Sequence, residues 1–292
     1  MIQIDLETDT FLLDHVVDGT PLLPMVMQLD LVARETVAKT AAMAAGRPAS
    51  IRLRDIRLGP PVRFGGPGAR QLELECVVVL TESSGRAALH CQLRSQGQDA
   101  PHLRAVAERA DEPARQAPLP VPNVGAADLP CGPDLVYPPF FHGPAFRVVG
   151  SFGRAGAGMA ARLAPGLPPL CWGSQPTVLR PRLLELLMQC CGIQELAETG
   201  RMMVPAAIDA VHWHHGSLAI ADEATGHDGK ALAVVTPRPG PPGHDRVFDG
   251  HVWTPAGTLL LTVTGYRTTD LGHPANRAHS SRLTCGLTTH PV

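Results

Sequence analysis

The feature that most restricts how this chain can fold is an internal repetition. A segment rich in Ala, Leu, Val and Met spans residues 24–45, opens with Pro24 and is followed by Gly46. A second segment of the same kind spans 181–199, opens with Pro181 and is followed by Gly200. Proline in the first turn and glycine just past the last are the asymmetry expected of helix ends. The two starts lie 157 positions apart, and the same offset carries the downstream pattern across without a gap. Ser50-Ile51-Arg52-Leu53 falls on Ala207-Ile208-Asp209-Ala210, the apolar run 71–80 on 228–237, residues 87–94 on 244–251, and 103–108 on 260–265. These runs alternate as half-buried strands do. One long helix followed by several antiparallel strands, made twice, predicts an α+β chain in which each sheet curls around its own central helix, a double hot-dog.

The repeat sets the expected boundaries: a first unit over 1–112, a connector over 113–134, a second unit over 135–270 and a flexible tail over 271–292. The connector contains Pro113, Pro118, Pro120, Pro122, Pro130 and Pro133, which excludes a helix interior or a central strand. With 44% hydrophobic residues in 292, each unit has enough apolar material for a core. The net charge of −2 lacks the basic footprint of a nucleic-acid binder. No run of 18 apolar residues marks a membrane span, and Asp5, Glu7 and Asp9 make the start acidic where a secretory leader is basic. A cytoplasmic location is expected. The seven cysteines form no Cys-x-x-Cys pair, which argues against a disulfide framework and a zinc knuckle and predicts reduced, mostly buried thiols.

Three places can carry chemistry. The first is Asp14-His15-Val16-Val17-Asp18-Gly19-Thr20-Pro21-Leu22-Leu23-Pro24, a histidine in a turn-rich loop stiffened by proline that leads into a helix. The N–H groups of that helix's first turn, around Met25 and Val26, lack intrahelical acceptors and can polarise a carbonyl oxygen. The second is Glu185 with Gln189, four apart on one helical face beside Leu184, Leu187, Met188 and Cys191. Desolvation there is expected to raise the Glu185 pKa and make it a proton donor. The third is Tyr137-Pro138-Pro139-Phe140-Phe141-His142-Gly143-Pro144-Ala145-Phe146-Arg147, which opens the second unit with aromatics and one more histidine. The offset pairs Glu185 with Gln28 and His15 with Trp172, so each unit supplies one member of an acid/base pair at the interface. His212 and His214 share one face of a strand but have no evident carboxylate or cysteine partner, so no metal site is expected. Asp14 is not expected to orient His15, because neighbours in an extended segment face opposite ways.

These residues resemble the dehydratase domains of polyketide synthases and of polyunsaturated-fatty-acid and enediyne-type synthases. His15, Gly19 and Pro24 meet the signature HxxxGxxxxP, and Pro181-Arg182-Leu183-Leu184-Glu185-Leu186-Leu187-Met188-Gln189 occupies the place of the acidic helix motif. Phe141-His142-Gly143-Pro144-Ala145-Phe146 resembles the Gly-Pro-x-Phe motif in its His form, and Val204-Pro205-Ala206-Ala207-Ile208 the Leu-Pro-x-x-Ile strand. The resemblance covers about residues 10–270. It implies removal of water from a β-hydroxyacyl thioester on the phosphopantetheine of an acyl carrier protein, with no metal or organic cofactor. His15 would take the α-proton and Glu185 protonate the departing hydroxyl. Gly19, Pro24, Met25, Gln189, His142, Gly143 and Phe146 would shape or bind the substrate. Neighbouring synthase domains and a homodimer are the implied partners. The chain departs from the family with Glu185 in place of Asp and Met25 in place of Gly. The longer acid leaves open double-bond isomerisation, cyclisation, or a non-catalytic carrier-binding role on the same scaffold.

Overall fold

The computed structural model describes residues 2–41, 50–65, 71–83, 86–95, 97–110, 119–214, 230–239, 246–274, 281–284 and 287. The first unit begins with β1 (Ile2–Asp5), a short hairpin of β2 (Val16–Val17) and β3 (Thr20–Pro21), and helix α1 (Met25–Ala41). It continues through β4 (Ser50–Leu58), β5 (Gln71–Ser83), β6 (Arg86–Ser95) and β7 (Leu103–Ala110). The second unit has β8 (Val149–Ala155), β9 (Gly158–Leu163), a hairpin of β10 (Cys171–Trp172) and β11 (Gln175–Pro176), and helix α2 (Pro181–Thr199). Then come β12 (Arg201–Trp213), β13 (Leu232–Pro237), β14 (Val247–Trp253) and β15 (Leu259–Pro274).

The long strands form one 11-stranded sheet in the order β1-β5-β6-β7-β4-β12-β15-β14-β13-β9-β8. Its centre is the antiparallel pair β4–β12, the first strand after each helix, in register Leu53↔Val211 and Arg54↔Ala210. By the offset, Leu53 corresponds to Ala210 and Arg54 to Val211, so the pseudo-twofold axis passes between these two pairs. Outward from it, β7, β6 and β5 on one side match β15, β14 and β13 on the other. Helix α1 lies against β5, β6 and β7, α2 against β9 and β12–β14, and the two helices touch. This is the double hot-dog.

Burial follows from the wrapping. Every residue from Met25 to Ala33 is buried, and so are 14 of the residues of α2. The expected apolar stripe on α2 is therefore a helix buried nearly all round, polar Arg182, Glu185, Gln189, Gln194 and Glu195 included, as a sheet that surrounds a helix requires. Pro181 occupies the first turn of α2, and Gly200 closes it at φ 68, its N–H donating to Leu196 O. The end expected for the first helix at Gly46 lies outside the described residues.

Two expectations are corrected. Residues 271–292 are not simply a loose tail: β15 runs to Pro274, and residues 281–284 are helical. Leu283 and Leu287, one turn apart, are buried, and Thr284 Oγ1 donates to Ala197 O of α2. Short-range polarity concealed that apolar pair. The offset also falls to 155 in the hairpins, because four residues separate β11 from α2 where two separate β3 from Pro24. The counterpart of His15 is then Leu170 and not Trp172.

Candidate active site

The β2–β3 hairpin turns through Asp18 and Gly19, at φ 50 and 76, the double positive φ of a type I′ turn for which Asp-Gly is suited. The turn folds His15 back on Leu22: Leu22 N donates to His15 O, and His15 Nδ1 lies 3.1 Å from Leu22 O. A carbonyl can only accept, so Nδ1 carries the proton and Nε2 keeps its lone pair. The ring packs edge-on against Phe141 and Phe146, with its centroid 5.6 Å from that of His142. Burial, then the neighbouring His142, lower the His15 pKa to about 4, against smaller opposing effects of Glu185 and Leu22. The imidazole is neutral at pH 7. Pro24 starts α1 by accepting from Met27 N and Gln28 N. The N–H groups of Met25 and Val26 find no backbone acceptor among the described residues.

Glu185 projects from α2 at 4% exposure. Gln189 Nε2 donates to its Oε1 at 2.7 Å, and His142 Nε2 stands 3.2 Å from the same oxygen. A hydrogen-bond chain fixes the polarity of this contact. Val149 N donates to Tyr137 OH at 2.8 Å, so the phenol proton goes to Gln189 Oε1 at 3.0 Å. The Gln189 amide must then point its N–H groups at Phe146 O and at Glu185. Burial alone would raise the Glu185 pKa, but the His142 contact, Gln189 and His15 together hold it below the usual carboxylate range. This corrects the expectation of a raised pKa: desolvation is present, and N–H donors outweigh it. Oε2 accepts no hydrogen bond among the described residues.

The third motif joins the two sides. His15 and His142 form an isolated antiparallel bridge. Gly143 N donates to Asp14 O and Ala145 N to Asp14 Oδ2, at 2.7 and 2.9 Å. A Cβ on Gly143 would lie 2.2 Å from Asp14 Oδ1, which is why only glycine fits there. Arg182 Nε donates to Ala145 O and Arg147 Nε to His142 O. The structure thus gathers His15, His142, Gly143, Phe146, Glu185 and Gln189, with Gly19 and Pro24 shaping the hairpin and helix entry. Among the described residues the His15 ring nitrogen bonds Leu22 O, while the Asp14 carboxylate accepts from Ala145 N. Its grip on the Gly-Pro loop was not foreseen, nor was the Tyr137 link to Gln189.

Elsewhere, His212 and His214 do share a face, with ring centroids 4.1 Å apart. Among the described residues no group of three or more His, Cys, Asp or Glu is placed to hold a metal ion. The described cysteine thiols, Cys91, Cys131, Cys171, Cys190 and Cys191, are unpaired. No described helix is long and apolar enough to cross a membrane.

The family model described as the polyketide synthase dehydratase N-terminal domain matches residues 134–278, the stretch that holds His142, Glu185 and Gln189. The chain carries a polyketide synthase dehydratase domain. Solved structures agree in fold. A trans-AT polyketide synthase dehydratase domain from Brevibacillus brevis matches at TM-score 0.71 and 18% identity, over 92% of each chain. The dehydratase domain from the CurJ module of curacin polyketide synthase matches at 0.69 and 16%, over 96% of this chain and 91% of that one. The dehydratase domain of PpsC from Mycobacterium tuberculosis matches at 0.66 and 21%, over 93% and 92%. In this dehydratase His15 and the acidic helix motif come from opposite units, and the Gly-Pro loop lies between them, touching Asp14 and Glu185.

Proposed function

We propose that this dehydratase removes water from a β-hydroxyacyl thioester delivered on the phosphopantetheine arm of an acyl carrier protein. The product is an α,β-enoyl thioester. The observation that supports this reading is the state of His15: neutral, its Nδ1–H committed to Leu22 O, its Nε2 lone pair available. That is the form an α-proton acceptor needs. Met25 N–H and Val26 N–H at the start of α1 would hold the thioester oxygen as negative charge gathers there. The proton for the departing hydroxyl would come from the Glu185 side, across the site. Dehydration moves protons and exchanges no electrons with an acceptor, so this set of groups suffices without a metal or organic cofactor. Gly19 and Pro24 would set the mount of the base, and Gly143 and Phe146 the loop over the acyl group. We place the protein in the cytoplasm, beside the other domains of a synthase and as a homodimer.

The test is incubation with a 3-hydroxyacyl thioester on a carrier protein or a short pantetheine mimic, following loss of water by mass spectrometry. Water loss by the natural protein that disappears in His15→Ala and Glu185→Ala is the expected result. No water loss, with reverse hydration also absent across several chain lengths, sinks the reading and sends the isomerase and cyclase alternatives to trial with enoyl substrates.

A further inference from the structure

We propose that His142, through Nδ1, is the catalytic residue that hands the proton to the departing hydroxyl, with Glu185 fixed behind it as the anionic partner. The proposal rests on the dehydratase reading and assigns its acid step to a different atom from the one the helix motif suggests.

Three observations carry it. Glu185 Oε1 faces two N–H groups, those of Gln189 and His142, and the Tyr137 chain forbids the Gln189 amide from turning its oxygen to the carboxyl. The carboxyl is therefore held as an acceptor. Its contact with Nε2 makes that nitrogen the donor in the pair and sets the orientation of the ring, the arrangement by which a carboxylate prepares a histidine for proton transfer. Second, His142 Nδ1 is buried without a hydrogen-bond partner among the described residues, in a residue 8% exposed. Buried side-chain polar atoms nearly always have partners, and an exception in a reaction centre marks a place for a substrate group. Third, the His142 ring lies between the base and the acid motif: 5.6 Å from the His15 ring by centroid, and 3.2 Å from Glu185 by its Nε2. A substrate whose α-carbon meets His15 carries its β-hydroxyl one carbon further, toward the next ring.

The step starts with His142 as an imidazolium, protonated on both nitrogens and paired through Nε2 with the Glu185 carboxylate, and it balances from there. The Cα–H proton passes to His15 Nε2, and the electrons of that bond form the C=C. The C–O bond breaks with its pair on oxygen, the His142 Nδ1–H bond breaks with its pair on nitrogen, and the proton and oxygen leave as water. His15 ends with one proton more and His142 with one fewer, and return of that proton restores the site.

His142→Gln separates the possibilities, because the Gln amide can keep an N–H near the position of Nε2 while leaving nothing at Nδ1. Dehydration of a 3-hydroxyacyl pantetheine thioester and exchange of its α-hydrogen in D2O would be measured for the natural protein, His142→Gln and Glu185→Gln. Exchange reports the His15 half of the reaction and shows that a variant is folded and binds substrate. The expected result is a loss of about 10²-fold or more in dehydration for His142→Gln with exchange retained, and a smaller loss for Glu185→Gln. A loss under tenfold for His142→Gln, an equal or larger loss for Glu185→Gln, or loss of exchange together with dehydration in His142→Gln would overturn the proposal. Failure of the natural protein to dehydrate any such thioester would instead overturn the dehydratase reading and the proposal with it.

Discussion

His15 and Glu185 are perturbed in the same direction for different reasons. Burial depresses the imidazole, whereas the carboxyl is depressed by N–H donors in spite of burial. For a base that must be unprotonated, the sign is simple. On the acid limb kcat/KM should hold until the pH drops through about 4, where His15 takes up a proton. A pH–rate profile of the natural protein, over the range in which it stays folded, checks this. Gly143→Ala should lower kcat by tenfold or more, because a Cβ there collides with Asp14 and shifts the loop that carries His142. Steady-state kinetics would show it, with circular dichroism as the control for folding. At this scale the sequence displayed the mount of His15 well, since Asp18-Gly19 and the flanking prolines announce a rigid hairpin. It concealed the state of Glu185: the His142 ring reaches it from a loop 43 residues earlier in the chain, and no local pattern reports such a contact.

Among the elements, α1 does more than present its N-terminus. Asp30, fully buried in a stretch whose one other polar residue is Gln28, accepts from Trp172 Nε1, Val178 N and Leu179 N at 2.8, 2.7 and 2.7 Å. These donors lie in β10 and in the four-residue connection before α2, the same connection that shifts the repeat by two. One carboxylate thereby ties the first helix to the entry of the second. Asp30→Ala would leave three buried N–H groups without an acceptor and should destabilise the fold by about 3 kcal/mol or more, read from urea unfolding. Burial raises the Asp30 pKa to about 6 from 3.8, against the lowering effect of its N–H donors. The folded state thus binds more protons than the unfolded one between those values. The contribution of Asp30 is greatest below about pH 4 and declines as the pH rises through 6, so the gap between the natural protein and Asp30→Ala should narrow over that window. The lone acidic residue in the run from Met25 to Ala33 was the available signal, and it was passed over because helix ends and apolar spacing say nothing about what a buried carboxylate will meet.

Across the whole molecule, the repetition was legible because register in a sheet wrapped around a helix is set by spacing, and spacing survives when residue identity does not. The two-residue shift in the hairpins and the docking of Leu283 and Leu287 were less visible, since each depends on a partner far along the chain. The units are joined by β4–β12, by Asp30, and by Asp14 with the Gly-Pro loop. Far-UV and near-UV circular dichroism should therefore report one coincident unfolding transition, and two separated transitions would show that the units stand alone. Residues 1–133 or 134–292 expressed separately should show no dehydration, because His15 lies in one and His142 and Glu185 in the other. The structural counterpart of His15 is Leu170 and that of Glu185 is Gln28, both buried and neither able to exchange a proton at neutral pH. Geometry is doubled while chemistry is not, and the stoichiometry follows: titration with a slow or unreactive acyl thioester should saturate at one acyl group per polypeptide, not two.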